Sequence, residues 1–232
     1  MKLYDKLIDD ILSELPPKED EKWEYNSSHE ATQGDKNAII FRNETAFELG
    51  SAGKNSVCSV LFTTKDFSDE IILFGEDISK LNEDTSFAHF VIVSLREQEE
   101  FKFEELKEIE FSLYRIYPEG YNVRISPVGG KETVRISKKA SEGNLSFENI
   151  GCSYIKEFKK NPLVKNVRVI FSTLDTVDFK ALSTSAKKVN AVTKTLSSDF
   201  ENLDISCESC SMKPLCDEIE GFKELHFKKK KS

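Results

Sequence analysis

The chain has 232 residues, of which 38% are hydrophobic and 32% charged, with a formal net charge of -8. Seventeen Phe exclude a disordered chain and predict a true core under a charged surface. The acidic balance excludes general nucleic-acid binding, which needs a basic face to displace phosphate counterions. No apolar run approaches the roughly 20 residues of a membrane span.

The opening stretch, MKLYDKLIDD, is acidic and periodic, unlike a secretory signal or an Arg-rich transit peptide. A cytoplasmic protein is expected, in which thiols stay reduced and clustered cysteines hold a metal more often than a disulfide. Residues 1–15 predict a helix, with Leu3, Tyr4, Leu7, Ile8, Ile11, Leu12 and Leu15 on one face and Pro16 and Pro17 as the stop. The polar stretch that follows, with the sole Trp at position 23, reads as a surface connection up to residue 37.

From residue 38 short runs rich in Val, Ile, Phe and Thr appear: AIIF, TAFEL, SVCSVLFTT, EIILFG and FVIVSL. Gly, Asn, Asp and Ser separate them, as between strands, and no helix of ordinary length fits between the first four. They predict antiparallel, hairpin-linked strands. A helix follows over roughly 103–117, carrying Leu106, Ile109, Leu113 and Ile116 on one side. NVRISPV and ETVRISK read as a hairpin around Gly129 and Gly130. SFENIGCSYIKEFKK predicts a helix capped by Ser146, with Gly151 allowing close packing and Cys152 in the core. VKNVRVIFSTL is one more strand. The last long helix begins after Thr176, with Phe179, Leu182, Ala186, Val189, Val192 and Leu196 as its apolar stripe. Strands and helices do not alternate strictly, so the fold class is α+β: a mainly antiparallel sheet packed with helices and a Cys-containing C-terminal tail. The expected divisions are an N-terminal helix and connection (1–37), a central α+β domain (38–200) and a cysteine metal-binding tail (201–232).

Several chemistries fail on spacing. GSAGKNS, residues 50–56, has Glu48 where a phosphate loop needs its first Gly and Asn55 where it needs a hydroxyl, so a hairpin turn accounts for its glycines. None of His29, His89 and His226 lies in HExxH, and no GxSxG is present. Arg115, Arg124, Arg135 and Arg168 are available to a phosphate. The concentrated signal is SCESCSMKPLCDE, which places Cys207, Cys210 and Cys216 in a C-x2-C-x5-C pattern. Two intervening residues let a pair of thiolates converge on one centre. An iron–sulfur cluster takes cysteine thiolates, usually four. Structural zinc takes four ligands from Cys and His, and His226 is the nearest fourth. Free thiols or a redox pair are the alternative.

Read together, TAFELGSAGKNSVCSVLFTT, IILFGEDI, FAHFVIVSL, IEFSLYRIYPEGYNVR, TVRISKKASEGNLSFENIGCSYIKEF and VKNVRVIFSTLD resemble the central part of the beta subunit of CO dehydrogenase/acetyl-CoA synthase, over roughly residues 45–210. The VRISK run with its SFENIG helix is the most specific part. The resemblance implies a short relative linked to acetyl-CoA and one-carbon metabolism, with Cys207 holding an iron–sulfur cubane and Cys210 holding it while bridging outward to nickel. If active, it would be a CO-methylating acetyl-CoA synthase-like acyltransferase, with coenzyme A and other subunits of such a complex as candidate partners. The family spaces its later cysteines as C-x8-C-x9-C and adds a C-G-C pair for the outer nickel. Here Cys216 comes early, no fourth cysteine follows and no C-G-C occurs. The alternative is a zinc-stapled interaction module without catalytic activity.

Overall fold

Nine consecutive residues, Phe87–Leu95, are all buried, so this strand (β5) is covered on both faces and lies inside a sheet. The structure, a computed structural model, describes residues 2–34, 45–98, 101–126 and 131–194. The other strands are β1 (Glu21–Glu24), β2 (Ala46–Leu49), β3 (Ser56–Thr63), β4 (Glu70–Phe74), β6 (Tyr121–Ser126), β7 (Lys131–Ser137) and β8 (Val164–Ser172). The helices are α1 (Lys2–Ser13), α2 (Phe103–Glu110), α3 (Lys138–Ser141), α4 (Phe147–Phe158) and α5 (Phe179–Lys194). The strands form a five-stranded sheet in the order β1-β4-β8-β5-β3 and a three-stranded sheet in the order β2-β7-β6. Four of the six pairings are antiparallel; β3 with β5 and β4 with β8 are parallel. The fold is α+β, as expected.

The hairpin reading of the runs from 45 to 95 is corrected. Consecutive runs do not pair: β2 joins the small sheet, β3 runs parallel to β5, and β4 lies between β1 and β8. Apolar runs buried on both faces carry no alternation, so nothing in them names their neighbour. GSAGKNS accordingly links two sheets and is not a hairpin turn. Gly50 has φ +69°, and a Cβ there would stand 2.6 Å from the Glu132 carbonyl oxygen. Only glycine fits that conformation and that approach. AIIF, at 38–41, and the Gly129–Gly130 turn lie outside the described residues.

The connection after α1 is also more ordered than expected. Residues 21–24 add an antiparallel edge to the large sheet, with Trp23 opposite Ile71. Their exposed charges suit an edge strand, which must not recruit another chain. Helix α2 stops at Glu110, short of 117, and tightens into a 3-10 turn over Phe111–Tyr114. Residues three apart eclipse in such a turn. Leu113 and Ile116 therefore still reach the core, while the Phe111 and Tyr114 rings meet outside it at 5.3 Å.

Helices lock the large sheet by close approach. Ser146 caps α4 by accepting from the Asn149 N–H at 3.2 Å. Gly151 lets α4 sit down on β4: a Cβ there would lie 2.4 Å from Ile71 Cγ1. Helix α1 buries Tyr4, Leu7, Ile8 and Ile11 and packs on α5 and β3. The Tyr4 and Thr193 hydroxyls hydrogen-bond at 2.8 Å, fixing the end of α5 to the start of the chain.

Candidate functional site

In the small sheet successive side chains point to opposite faces. Arg135 and Thr133 sit opposite Asn122 and Arg124 on one face, and Glu48 pairs with Arg135 on that face. Glu132, Val134 and Ile136 take the opposite phase and turn into the molecule. A carboxylate thus enters the core in register with two aliphatics. It meets His89 of β5, whose Nδ1 lies 3.1 and 3.2 Å from the two Glu132 oxygens, with both side chains fully buried. With the carboxylate accepting, Nδ1 carries a proton. Among the described residues His89 Nε2 has no hydrogen-bond partner, and the buried hydroxyls of Tyr121 and Tyr154 interact with one another.

Further aromatic and thiol side chains surround this pair. The His89 ring packs on Tyr154 at 4.9 Å and on Phe171 at 4.8 Å. Cys58 sits beside His89 in the β3–β5 register. Burial pushes the Cys58 thiol well above the usual range, and the charges of Glu132 and Glu110 add to that. Burial also raises Tyr121 and Tyr154, with Glu132 contributing to both. Tyr114, partly exposed, feels the charges of the same groups. Its phenol is pushed up to about 12, first by burial and then by Cys58, Glu110 and Glu132.

Cys58, His89 and Glu132 have the residue types of a nucleophilic triad but not its chemistry. A catalytic thiol is exposed and has its pKa lowered by its surroundings; this one is buried and raised. His89 Nε2, the atom that would take the thiol proton, bonds to nothing among the described residues. The centre is a polar tie between the sheets. Ser56 Oγ strengthens it by donating to the Glu132 carbonyl and accepting from the Glu132 N–H at 3.0 Å.

The residues expected to hold a metal, Cys207, Cys210, Cys216 and His226, lie outside the described residues. Among the described residues no group of three or more His, Cys, Asp or Glu could hold a metal ion. Cys152 is enclosed in α4, and burial raises its thiol as well. Arg124 and Arg135 share a face of the small sheet, whereas Arg168 lies on the large one. Arg168 is paired to Glu70 and stacked on Phe67 at 4.8 Å, Arg135 engages Glu48, and Arg124 stands exposed on β6. Among the described residues no helix is long and apolar enough to cross a membrane.

The His89–Glu132 pair was missed by motif reading because its members are 43 positions apart. One signal was available: Glu132 falls in the inward phase of a period-two strand, with Val134 and Ile136. A cleft of about 400 Å³ borders Gly120, Ser137, Lys139 and Ala140, and a second of about 400 Å³ lies between α1 and α5. Neither gathers a catalytic set. No family model matches the chain, and no curated protein matches it.

Proposed function

We propose that the chain is a metal-binding protein in which an α+β body carries a thiolate site on Cys207, Cys210 and Cys216, and that it is a short relative of the CO dehydrogenase/acetyl-CoA synthase beta subunit. The observation that carries this reading is the division of the five cysteines. Cys58 and Cys152 are enclosed and have raised thiols, which suits neither metal binding nor nucleophilic attack. The other three stand within ten positions in a polar stretch of sequence, at a spacing that lets thiolates converge. A strand (β8) and a helix (α5) precede them, as a strand and a helical stretch precede the first cluster cysteines in that family.

The metal in this reading is an iron–sulfur cluster, held by three protein thiolates and a fourth ligand. His226 is the nearest candidate in the sequence for that position. On this reading the protein works in the cytoplasm, in anaerobic acetyl-CoA or one-carbon metabolism, beside other subunits of a CO dehydrogenase/acetyl-CoA synthase-type complex. A full two-metal nickel centre needs the C-G-C pair, which this sequence does not contain. Acyl transfer by this chain would therefore need nickel recruited to the same three thiols. Elemental analysis of protein purified without oxygen tests the reading. About four iron per chain in a brown protein supports it, and nickel in addition supports the acyltransferase form. About one zinc in a colourless protein replaces it with a zinc-stapled module. Absence of all three metals overturns it.

A further inference from the structure

Helix α4 meets the rest of the chain on two faces. Phe147, Gly151 and Tyr154, at spacings of four and three, sit on the large sheet against Phe171, Ile71 and His89. Glu148, Asn149, Cys152, Ser153 and Lys156 fall on another face. Four of these five hold residues 26–31, which cross the helix. Glu148 pairs with His29 Nδ1 at 2.5 Å, and Asn149 Nδ2 donates to the His29 carbonyl at 2.7 Å. Ser153 Oγ accepts from the Ala31 N–H at 3.0 Å, and Lys156 Nζ meets Glu30 at 2.6 Å. Cys152 lies among these four contacts. Its side is 0% exposed, and the Asn26 backbone hydrogen-bonds its sulfur.

The crossing segment is held in a different way from the body. Its 3-10 turn, Ser27–His29, buries no residue, and residues 26–29 are exposed. Both of its ends are fixed by backbone. The Tyr25 N–H donates to the Asp69 carbonyl at 3.0 Å, and the Glu119 N–H donates to the Thr32 carbonyl at 2.8 Å. Between those anchors the segment rests on polar contacts at the surface, and exposed ion pairs contribute little each. A stretch with few buried apolar contacts opens at a lower free energy than core strands do.

We propose that residues 26–31 form a strap that releases from α4 while the body stays folded, and that this strap gates Cys152. With the strap closed, the thiol is enclosed. Release opens it to electrophiles in solution and removes the burial that raises it. Cys58 is enclosed by the sheets instead, so only unfolding of the body reaches it. The device does not depend on metal at the other cysteines.

Iodoacetamide labelling of the full chain, mapped by mass spectrometry, reads the strap, with Cys58 in the same molecule as the control. Over a brief treatment of the wild type both thiols stay protected; on prolonged exposure Cys152 should label ahead of Cys58. Glu148→Gln with Ser153→Ala should raise the Cys152 rate at least about tenfold and leave the Cys58 rate unchanged. His29→Ala with Glu30→Ala, which leaves α4 untouched, should do the same. One common rate for Cys152 and Cys58 in the wild type and the variants overturns the proposal, because only global unfolding then reaches Cys152. An unchanged Cys152 rate in either double variant overturns it as well. So does rapid labelling of Cys152 in the wild type, which a closed strap forbids.

Discussion

Cys58 and Cys207 are the same residue type in opposite settings. Cys58 follows Ser-Val and precedes Ser-Val-Leu-Phe in a strand whose inner residues are all buried, and its thiol is held protonated by burial and by Glu132. Cys207 stands between Ser and Glu, with two more cysteines in the next nine positions. The contrast teaches that surroundings, not the presence of sulfur, decide what a thiol can do. An enclosed thiol behaves as a small apolar side chain, whereas a polar stretch leaves thiols open to deprotonation and to a metal. On the proposed reading, enclosure of one set and clustering of the other divide the chain into a part that packs and a part that binds metal.

The largest expected effect attacks the metal-binding part. Cys207→Ser with Cys210→Ser should abolish metal binding, read by elemental analysis, and leave the thermal transition of the body in place. Loss of that transition would show that the metal also holds the body together. In the packed part the greatest sensitivity lies at the tie between the sheets. Glu132→Ala strands His89 in the core and should destabilise by about 3–5 kcal/mol in urea unfolding. Replacing both partners, by His89→Phe with Glu132→Met, should recover most of that loss, because two apolar groups leave no buried charge unpaired. Gly151→Ala forces a Cβ against Ile71 and should destabilise by about 1–3 kcal/mol.

The smallest effect is a pH dependence. The folded Tyr114 phenol titrates at about 12, against 10.0 when unperturbed. Between those values the folded state keeps a proton that the unfolded state has lost. Stability from this group is therefore complete below pH 10 and declines as pH rises toward about 12. Tyr121 and Tyr154 shift in the same direction. Tyr114→Phe should make the alkaline fall in stability shallower, measured by urea midpoints across that range.

How legible each part was follows from what its pattern encodes. Two of the amphipathic helices read correctly. Helix α4, with its Ser146 cap and its Gly151 contact, and α5, with its buried stripe, lie where spacing put them. The antiparallel pairing of β6 with β7 did too, because Glu132, Val134 and Ile136 mark the inward phase. The large sheet did not, since β3 and β5 are buried along almost their whole length and the sequence offers no alternation to choose between parallel and antiparallel neighbours. Trp23 was read as part of a connection because four charged-rich residues look like loop until β4 supplies a partner. His89 and Glu132 meet only through the stacking of two sheets, which no local window contains. The cysteine trio is the reverse case: its spacing is local and visible in the sequence.

Alkylation mapped by mass spectrometry tests the division of the cysteines most directly. Oxygen-protected native protein is treated with iodoacetamide before and after chelation. The account predicts that Cys207, Cys210 and Cys216 are shielded before chelation and all modified after it, while Cys58 and Cys152 stay unmodified in both. Equal modification of the trio before and after chelation, or rapid labelling of Cys58 in the native state, would contradict it.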